Sequence, residues 1–262
     1  MGKLMRHKLF IFLGVVTAFL LHTRLANAIV NMDDLHFRQH EYGLSGAVNF
    51  KASERSGNTE SRNVALGSQL QWNQEDYINL FVLGFDYGES DGEKNLKKSF
   101  IHLRHVRRFS ENLDYEFFGQ IEENEFTRLS YRWLLGTGIR LPFAESDRHI
   151  AYFGFGGFHE VEKITPLTDA DEEEIHRTGR WNTYLLSRYK LNSRVKFSNT
   201  AYYQPRMADT ADWRGLLVSL LSVKATDSIA IQFSIEVSRD SQPPLGVKKT
   251  DKAIQTGFEY AF

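Results

Sequence analysis

From Tyr42 onward, apolar and polar residues alternate with a period of two, the signature of half-buried β-strands. Tyr42, Leu44, Gly46, Val48 and Phe50 interleave with Gly43, Ser45, Ala47, Asn49 and Lys51. Val64, Leu66, Leu70 and Trp72 do so with Asn63, Gly67, Gln69 and Gln71. Tyr115, Phe117 and Ile121 alternate with Glu116, Gln120 and Glu122, and Leu129, Tyr131, Trp133, Leu135, Ile139 and Leu141 with Arg128, Ser130, Arg132, Gly136 and Arg140. The same holds around Trp181–Leu191, Ile229–Val237 and Ile254–Phe262. Weaker segments at 77–87, 96–109, 149–161, 194–204 and 214–224 fill the gaps, with facing less defined: Phe81, Leu83 and Phe85 compete with Leu80 and Val82. The pattern predicts twelve strands of roughly 10–14 residues. No long stretch shows a helical period.

Such strands are long for a soluble sandwich, where about 5–6 residues is usual. They suit a bilayer, which a tilted strand crosses in about 9–11 residues. The polar faces are rich in Arg, Glu, Gln and Gly, too polar for a dry core and suited to a wet lumen. A soluble barrel would reverse the two faces. The N-terminus decides between them. Lys3, Arg6 and Lys8 precede an apolar run from Leu9 to Leu21, and Ala26-Asn27-Ala28 forms an A-x-A cleavage pattern. Residues 1–28 therefore read as a cleaved signal peptide, with the mature chain, 29–262, as a single barrel domain. The apolar faces then look at lipid. Closure follows from cost, since each unpaired backbone group at an open edge in hydrocarbon costs several kcal/mol. The expected fold is all-β, a closed antiparallel transmembrane β-barrel of about twelve strands.

Connections near 73–76, 110–112, 142–148, 192–194 and 225–227 are short. Those at 53–60, 88–95, 163–175, 206–213 and 239–250 are mostly longer, as for a barrel with short periplasmic turns and long outer loops. The turn around 123–126 is the tight exception. Four of the five prolines fall in connections, Pro142 among them, and Pro205 ends a strand.

Composition narrows the function. Cys is absent, so there are no disulfides, thiol chemistry or thiolate metal sites. A mean hydropathy of −0.40 excludes a bundle of membrane helices. Loss of Lys3, Arg6, Lys8 and Arg24 with the signal moves the net charge from −1 to −5, which argues against nucleic acid.

The central hairpin carries the densest chemistry. Glu116, Gln120 and Glu122 share one face of its first strand, and Arg128, Arg132 and Arg140 one face of its second. With both faces inward, a turn centred on Asn124 opposes Glu116 to Arg132 and Gln120 to Arg128; one centred on Glu125 opposes Glu122 to Arg128. Either places carboxylates beside guanidiniums. This lumenal ladder either selects what passes or fills a narrow lumen with ion pairs. His102 and His105 point to opposite faces of a strand and make no metal pair; neither metal nor cofactor is expected. The acidic run Asp169-x-Asp171-Glu172-Glu173-Glu174 lacks the glycine and spacing of a calcium loop and reads as solvated, with a bridge to lipopolysaccharide through divalent cations as the sharper alternative. Trp72, Tyr77, Tyr189, Trp133, Trp181 and Trp213 fall near strand ends, as interfacial girdles do. Ser, His and Asp are too scattered for a hydrolase site, so no enzyme is expected.

Several stretches resemble a Gram-negative family known as domain of unknown function 481, which carries the label salt-induced outer-membrane protein. They are Gly57-Asn58 with Asn63, Tyr115-Glu116-x-Phe118-x-Gln120, Asn124-x-Phe126, Arg132-x-x-Leu135-Gly136-x-Gly138-x-Arg140, and Ser241-x-Pro243-Pro244-x-Gly246-Val247. The resemblance spans most of the mature chain and implies an outer-membrane barrel without an assigned activity. Phe258, Tyr260 and the terminal Phe262 look like the signal read by the barrel assembly machinery. The expected protein is a monomer of the Gram-negative outer membrane, surrounded by lipid and lipopolysaccharide. Its expected role is a narrow charge-lined pore or a structural barrel in envelope and osmotic adaptation. The alternatives are a barrel that binds lipopolysaccharide or protein through its outer loops and, more remotely, a lipid-active enzyme.

Overall fold

A computed structural model describes residues 42–55, 61–90, 93–168 and 174–262. The predicted cleavage site at Ala26 and Ala28, the Gly57-Asn58 pair and acidic residues 169–173 lie outside the described residues. Twelve antiparallel strands form one closed barrel in chain order. They are β1 Gly43–Arg55, β2 Ser61–Asn73, β3 Tyr77–Ser90, β4 Glu93–Ser110, β5 Leu113–Asn124 and β6 Leu129–Glu145. They continue as β7 His149–Ile164, β8 Glu174–Lys190, β9 Val195–Pro205, β10 Trp213–Lys224, β11 Ile229–Asp240 and β12 Thr250–Ala261. Lengths run from 11 residues in β9 to 18 in β4, enough to cross a bilayer at a tilt.

The alternation explains the closure. Leu66, Phe85, Leu103, Phe117, Leu135, Phe153, Leu185, Leu217, Ile235 and Phe258 all lie exposed on the outer wall. That continuous apolar belt has no counterpart on a soluble monomer and fits hydrocarbon. Trp72, Trp133, Trp181 and Tyr189 are also exposed on that wall, as girdle residues are. The inner wall buries Glu116, Arg104, Arg132, Arg140, Glu160 and Arg180 instead.

Short turns at 74–76, 111–112, 146–148, 191–194 and 225–228 close one end. The 191–194 turn is held by the Asn192 side-chain carbonyl, which accepts from the Arg194 and Val195 amides at 2.9 Å. The central turn at the opposite end is equally short, spanning 125–128, but it is not a plain hairpin turn. A 3-10 turn, Glu125–Thr127, and then Arg128 at a φ of 59° separate β5 from β6. A register shift between Glu122 and Asn124 precedes them.

β6 also runs further than expected. Pro142 lies within the strand, opposite Tyr152, rather than in a connection. The ladder tolerates it because β5 pairing with β6 ends at Arg140 and the register to β7 shifts after Pro142.

Candidate functional site

The site is the lumen, and its two halves differ. From β3 round to β10 the interior is filled. Ile78 and Leu80 of β3 and Val106 of β4 belong to one buried cluster with Tyr152 of β7, Leu186 of β8 and Leu216 of β10. The intervening β5 and β6 contribute nothing apolar to that cluster, so it joins opposite walls across the lumen.

Glycines make room for the rings. A Cβ on Gly154 would sit 2.1 Å from the Tyr184 ring, and one on Gly136 2.4 Å from Phe118 and 2.7 Å from Phe158. Tyr184 donates its hydroxyl to Glu116 Oε2 at 2.9 Å, bridging β8 to β5. Arg104 reaches the same oxygen at 3.0 Å, and its guanidinium lies 4.8 Å from the Phe118 ring centre.

A second tier is ionic. Arg132 meets Glu122 at 2.9 Å, with Glu162 at 3.6 Å and Glu160 at 3.9 Å. Arg214 grips Glu162 through two parallel contacts of 2.7 and 2.9 Å, and also reaches Glu160 at 3.1 Å and Asp240 at 2.9 Å. Arg180 lies 2.6 Å from Glu160 and 3.0 Å from Asp212. Arg140 pairs with Asp114 at 2.9 Å and covers the Tyr152 ring at 4.2 Å. Buried charge is tolerated here because each guanidinium has carboxylates on it.

Five of the six residues expected in the ladder, Glu116, Gln120, Glu122, Arg132 and Arg140, are buried in the lumen. Arg128 is not. The 3-10 turn ends on it in the left-handed region, so it precedes β6 instead of sharing its inner face. Its guanidinium donates to the Thr165 carbonyl and the Leu245 carbonyl, both at 2.9 Å, tying two loops together.

The register differs too. Glu122 opposes Arg132, Glu116 opposes Gly138 and Asp114 opposes Arg140. None of the three expected oppositions, Glu116 to Arg132, Gln120 to Arg128 or Glu122 to Arg128, forms. The longer turn moves each partner along β6. Gln120 bonds Glu122 and His102. His102 is buried and His105 faces outward, bonded to Asn79, as strand geometry requires. Period-two alternation does not single out Arg104, Glu160, Glu162 and Arg214, which lie on strands of undefined facing or beside loops.

At the long-loop end the ionic tier opens into a cavity of about 80 Å³. Arg132, Glu162 and Arg214 form its floor, and Pro243, Pro244 and Val247 line its lid.

The other half of the barrel, β11, β12, β1 and β2, has no such filling. Its inward residues include Ser234 and Gln232, Gln255, Ala47 and Asn49, and Ala65, Gly67 and Gln69, all only half-buried. Gln71 is 2% exposed, yet both its amide atoms lack a protein partner, as does the Asn49 carbonyl. Buried amides in this state require water. A Cβ on Gly67 would meet nothing closer than 3.7 Å, in contrast to the glycines opposite. The lumen is thus packed on one side and lined by small polar residues on the other.

A closed twelve-strand barrel with an apolar outer belt and buried charge inside is a transmembrane β-barrel of the outer-membrane type. A solved structure shares this fold. An outer-membrane channel from Pseudomonas putida F1 superposes with a TM-score of 0.50 at 11% identity, covering 89% of this chain and 99% of that one. The NanC porin gives 0.46 at 9% identity, with 83% and 97% covered, and the translocator domain of the autotransporter NalP from Neisseria meningitidis 0.48 at 12%, with 86% and 91% covered. No curated protein sequence matches the chain. The family model for proteins of unknown function DUF481 matches residues 48–262, and the chain belongs to that family.

Proposed function

We propose that this outer-membrane barrel is a narrow conduit for small polar solutes, with passage confined to the lane along β11, β12, β1 and β2. The observation that carries this is the asymmetry of the lumen. The β3–β10 side is closed by side chains that meet across the axis, whereas the other is lined by small residues with unpartnered amides. A twelve-strand barrel is narrower than the 16–18-strand porins, and a half-filled one narrower still. Under this reading the ionic tier acts as a wall. It holds the filled side rigid and presents little free charge to a passing solute. The chain reaches the outer membrane through its signal peptide and works as a monomer in lipid and lipopolysaccharide. The reading assigns it no reaction.

Planar-bilayer recording of the refolded protein tests this. The expected result is a small, reproducible unitary step with weak ion selectivity. A folded, heat-modifiable barrel that stays silent would overturn the conduit and leave a structural barrel.

A further inference from the structure

Most of the lipid-facing wall is apolar, but one row on it is polar. Ser187 of β8, Asn199 of β9 and Ser219 of β10 are directly opposed in register. They point outward, because Leu186, Ser198, Thr200 and Val218 beside them along the strands are buried on the inner side. Ser219 donates its hydroxyl to Asn199 Oδ1 at 2.7 Å. Ser187 Oγ lies 3.1 Å from His149 Nε2, which extends the row to β7. Leu185, Ala201 and Leu217 flank the row toward the middle of the barrel, and Tyr189, Phe197 and Leu221 flank it toward the short turns. On β11 the wall is apolar again at Ile235, opposite Ser219.

This row has hydrogens to donate beyond those it uses. With Asn199 Oδ1 engaged by Ser219, the Asn199 amide nitrogen has no partner among the described residues. The His149–Ser187 pair keeps one donor in either tautomer: the other ring N–H if Ser187 donates, the hydroxyl if His149 does. Donors left in hydrocarbon cost several kcal/mol each, so the row calls for an acceptor from outside the chain. Just below it the protein is basic. Arg148, Lys190, Arg194 and Lys224 are exposed, and none forms an ion pair among the described residues. Backbone bonds of 2.8 Å, from Lys190 N to Arg148 O and from Lys224 N to Arg194 O, hold them in two neighbouring pairs. The turns between them carry two acids, Asp147 and Asp227. From the middle of the barrel toward the short turns, the face is therefore apolar, then hydrogen-donating, then cationic. The Tyr189 ring, stacked on His149 with centres 4.0 Å apart, marks the step between the last two.

We infer that this face, from β7 to β10 at the short-turn end, is a binding site for an anionic diacyl glycerophospholipid of the phosphatidylglycerol class. The acyl chains lie along the trough that Ala201 leaves between Leu185 and Leu217. The ester carbonyls, which accept and never donate, take the free hydrogens of Asn199 and of the His149–Ser187 pair. The phosphate meets Arg148 and the cations beside it. The three layers follow the lipid's own order of chain, ester and phosphate. Short turns face the periplasm in barrels of this type, so the lipid belongs to the inner leaflet. The site lies on the outside of the barrel and is independent of the conduit.

Native mass spectrometry of the protein, extracted from vesicles of equal phosphatidylglycerol and phosphatidylcholine content, tests it. The expected result is a single retained phospholipid, with phosphatidylglycerol preferred. Asn199→Leu puts an apolar side chain on a lipid-facing wall and leaves the fold intact; it should lower retention about tenfold. Thr183→Leu, which faces outward on β8 beyond Leu185, should leave retention unchanged. Arg148→Ala/Arg194→Ala should keep a phospholipid but lose the preference for phosphatidylglycerol. Retention by Asn199→Leu equal to that of the wild type, or equal retention of the two lipids by the wild type, would overturn the site. So would disulfide-linked dimers of an Asn199→Cys variant in the same vesicles, since a second copy would then cover the row. None of these results bears on the bilayer recording, so the site and the conduit fail separately.

Discussion

Arg214→Ala should cost the folded barrel about 3–5 kcal/mol, the range found when one member of a buried ion pair is removed. Arg214 holds both oxygens of Glu162, an oxygen of Glu160 and the carboxylate of Asp240. Without it, two buried carboxylates of β7 stand side by side. Glu160 keeps Arg180, but Glu162 keeps only Arg132 at 3.6 Å. The β7–β10 tie across the lumen is lost with the charge. Urea titration of the protein in lipid vesicles, followed by gel mobility of the heat-modifiable form, measures this. Arg107→Ala provides the scale. Its partner Asp76 is 3.6 Å away, the two side chains are 67% and 55% exposed, and its loss should cost about 0–1 kcal/mol. Equal costs for the two variants would mean that the ionic tier does not hold the filled half together.

Gly67→Trp is expected to abolish conduction while leaving the barrel folded. Gly67 points into the lane, opposite Asn49 of β1 and Gly84 of β3. The nearest atoms to a Cβ there belong to Asn49, at 3.7 and 3.8 Å, so the side chain enters open space without moving backbone. An indole fills a passage that glycine and alanine keep open. The comparison is Gly154→Trp, whose Cβ alone would collide with the Tyr184 ring at 2.1 Å and displace its bond to Glu116. That variant should fail in folding rather than in conduction. A Gly67→Trp barrel with wild-type unitary current would mean the solute path runs elsewhere.

How far the sequence shows this can be seen strand by strand. β5 and β6 are legible because large apolar residues face out while polar residues and glycine face mainly in: Phe117, Ile121, Trp133 and Leu135 against Glu116, Gln120, Arg132 and Gly136. β3 is not, because Ile78, Leu80 and Val82 face a packed lumen while Phe81, Leu83 and Phe85 face lipid. A strand apolar on both sides carries no period-two signal. The competition between Phe81 and Val82 is thus the mark of the filled half, and β4 repeats it with Phe100 and Val106 inside and Ile101 and Leu103 outside.

The hairpin register was hidden for a different reason. It depends on a 3-10 turn, a shift in β5 and a left-handed arginine, none of which alternation encodes. Cross-lumen partners such as Tyr184 with Glu116, or Arg214 with Glu162, depend on how the barrel closes, which no local pattern specifies.

Thiol accessibility around the lumen tests the asymmetry most directly, in a chain that has no cysteine of its own. Single cysteines at Ser234, Asn49 and Ala47 face the lane, and single cysteines at Thr200 and Leu134 lie buried elsewhere on the lumenal wall. Reconstituted in vesicles and exposed to a water-soluble charged methanethiosulfonate, the lane cysteines should be modified rapidly and those at Thr200 and Leu134 should stay unmodified until the barrel is unfolded. Rapid modification all round the wall would mean a lumen open to water throughout, and protection all round would mean one filled throughout; either contradicts a half-filled barrel.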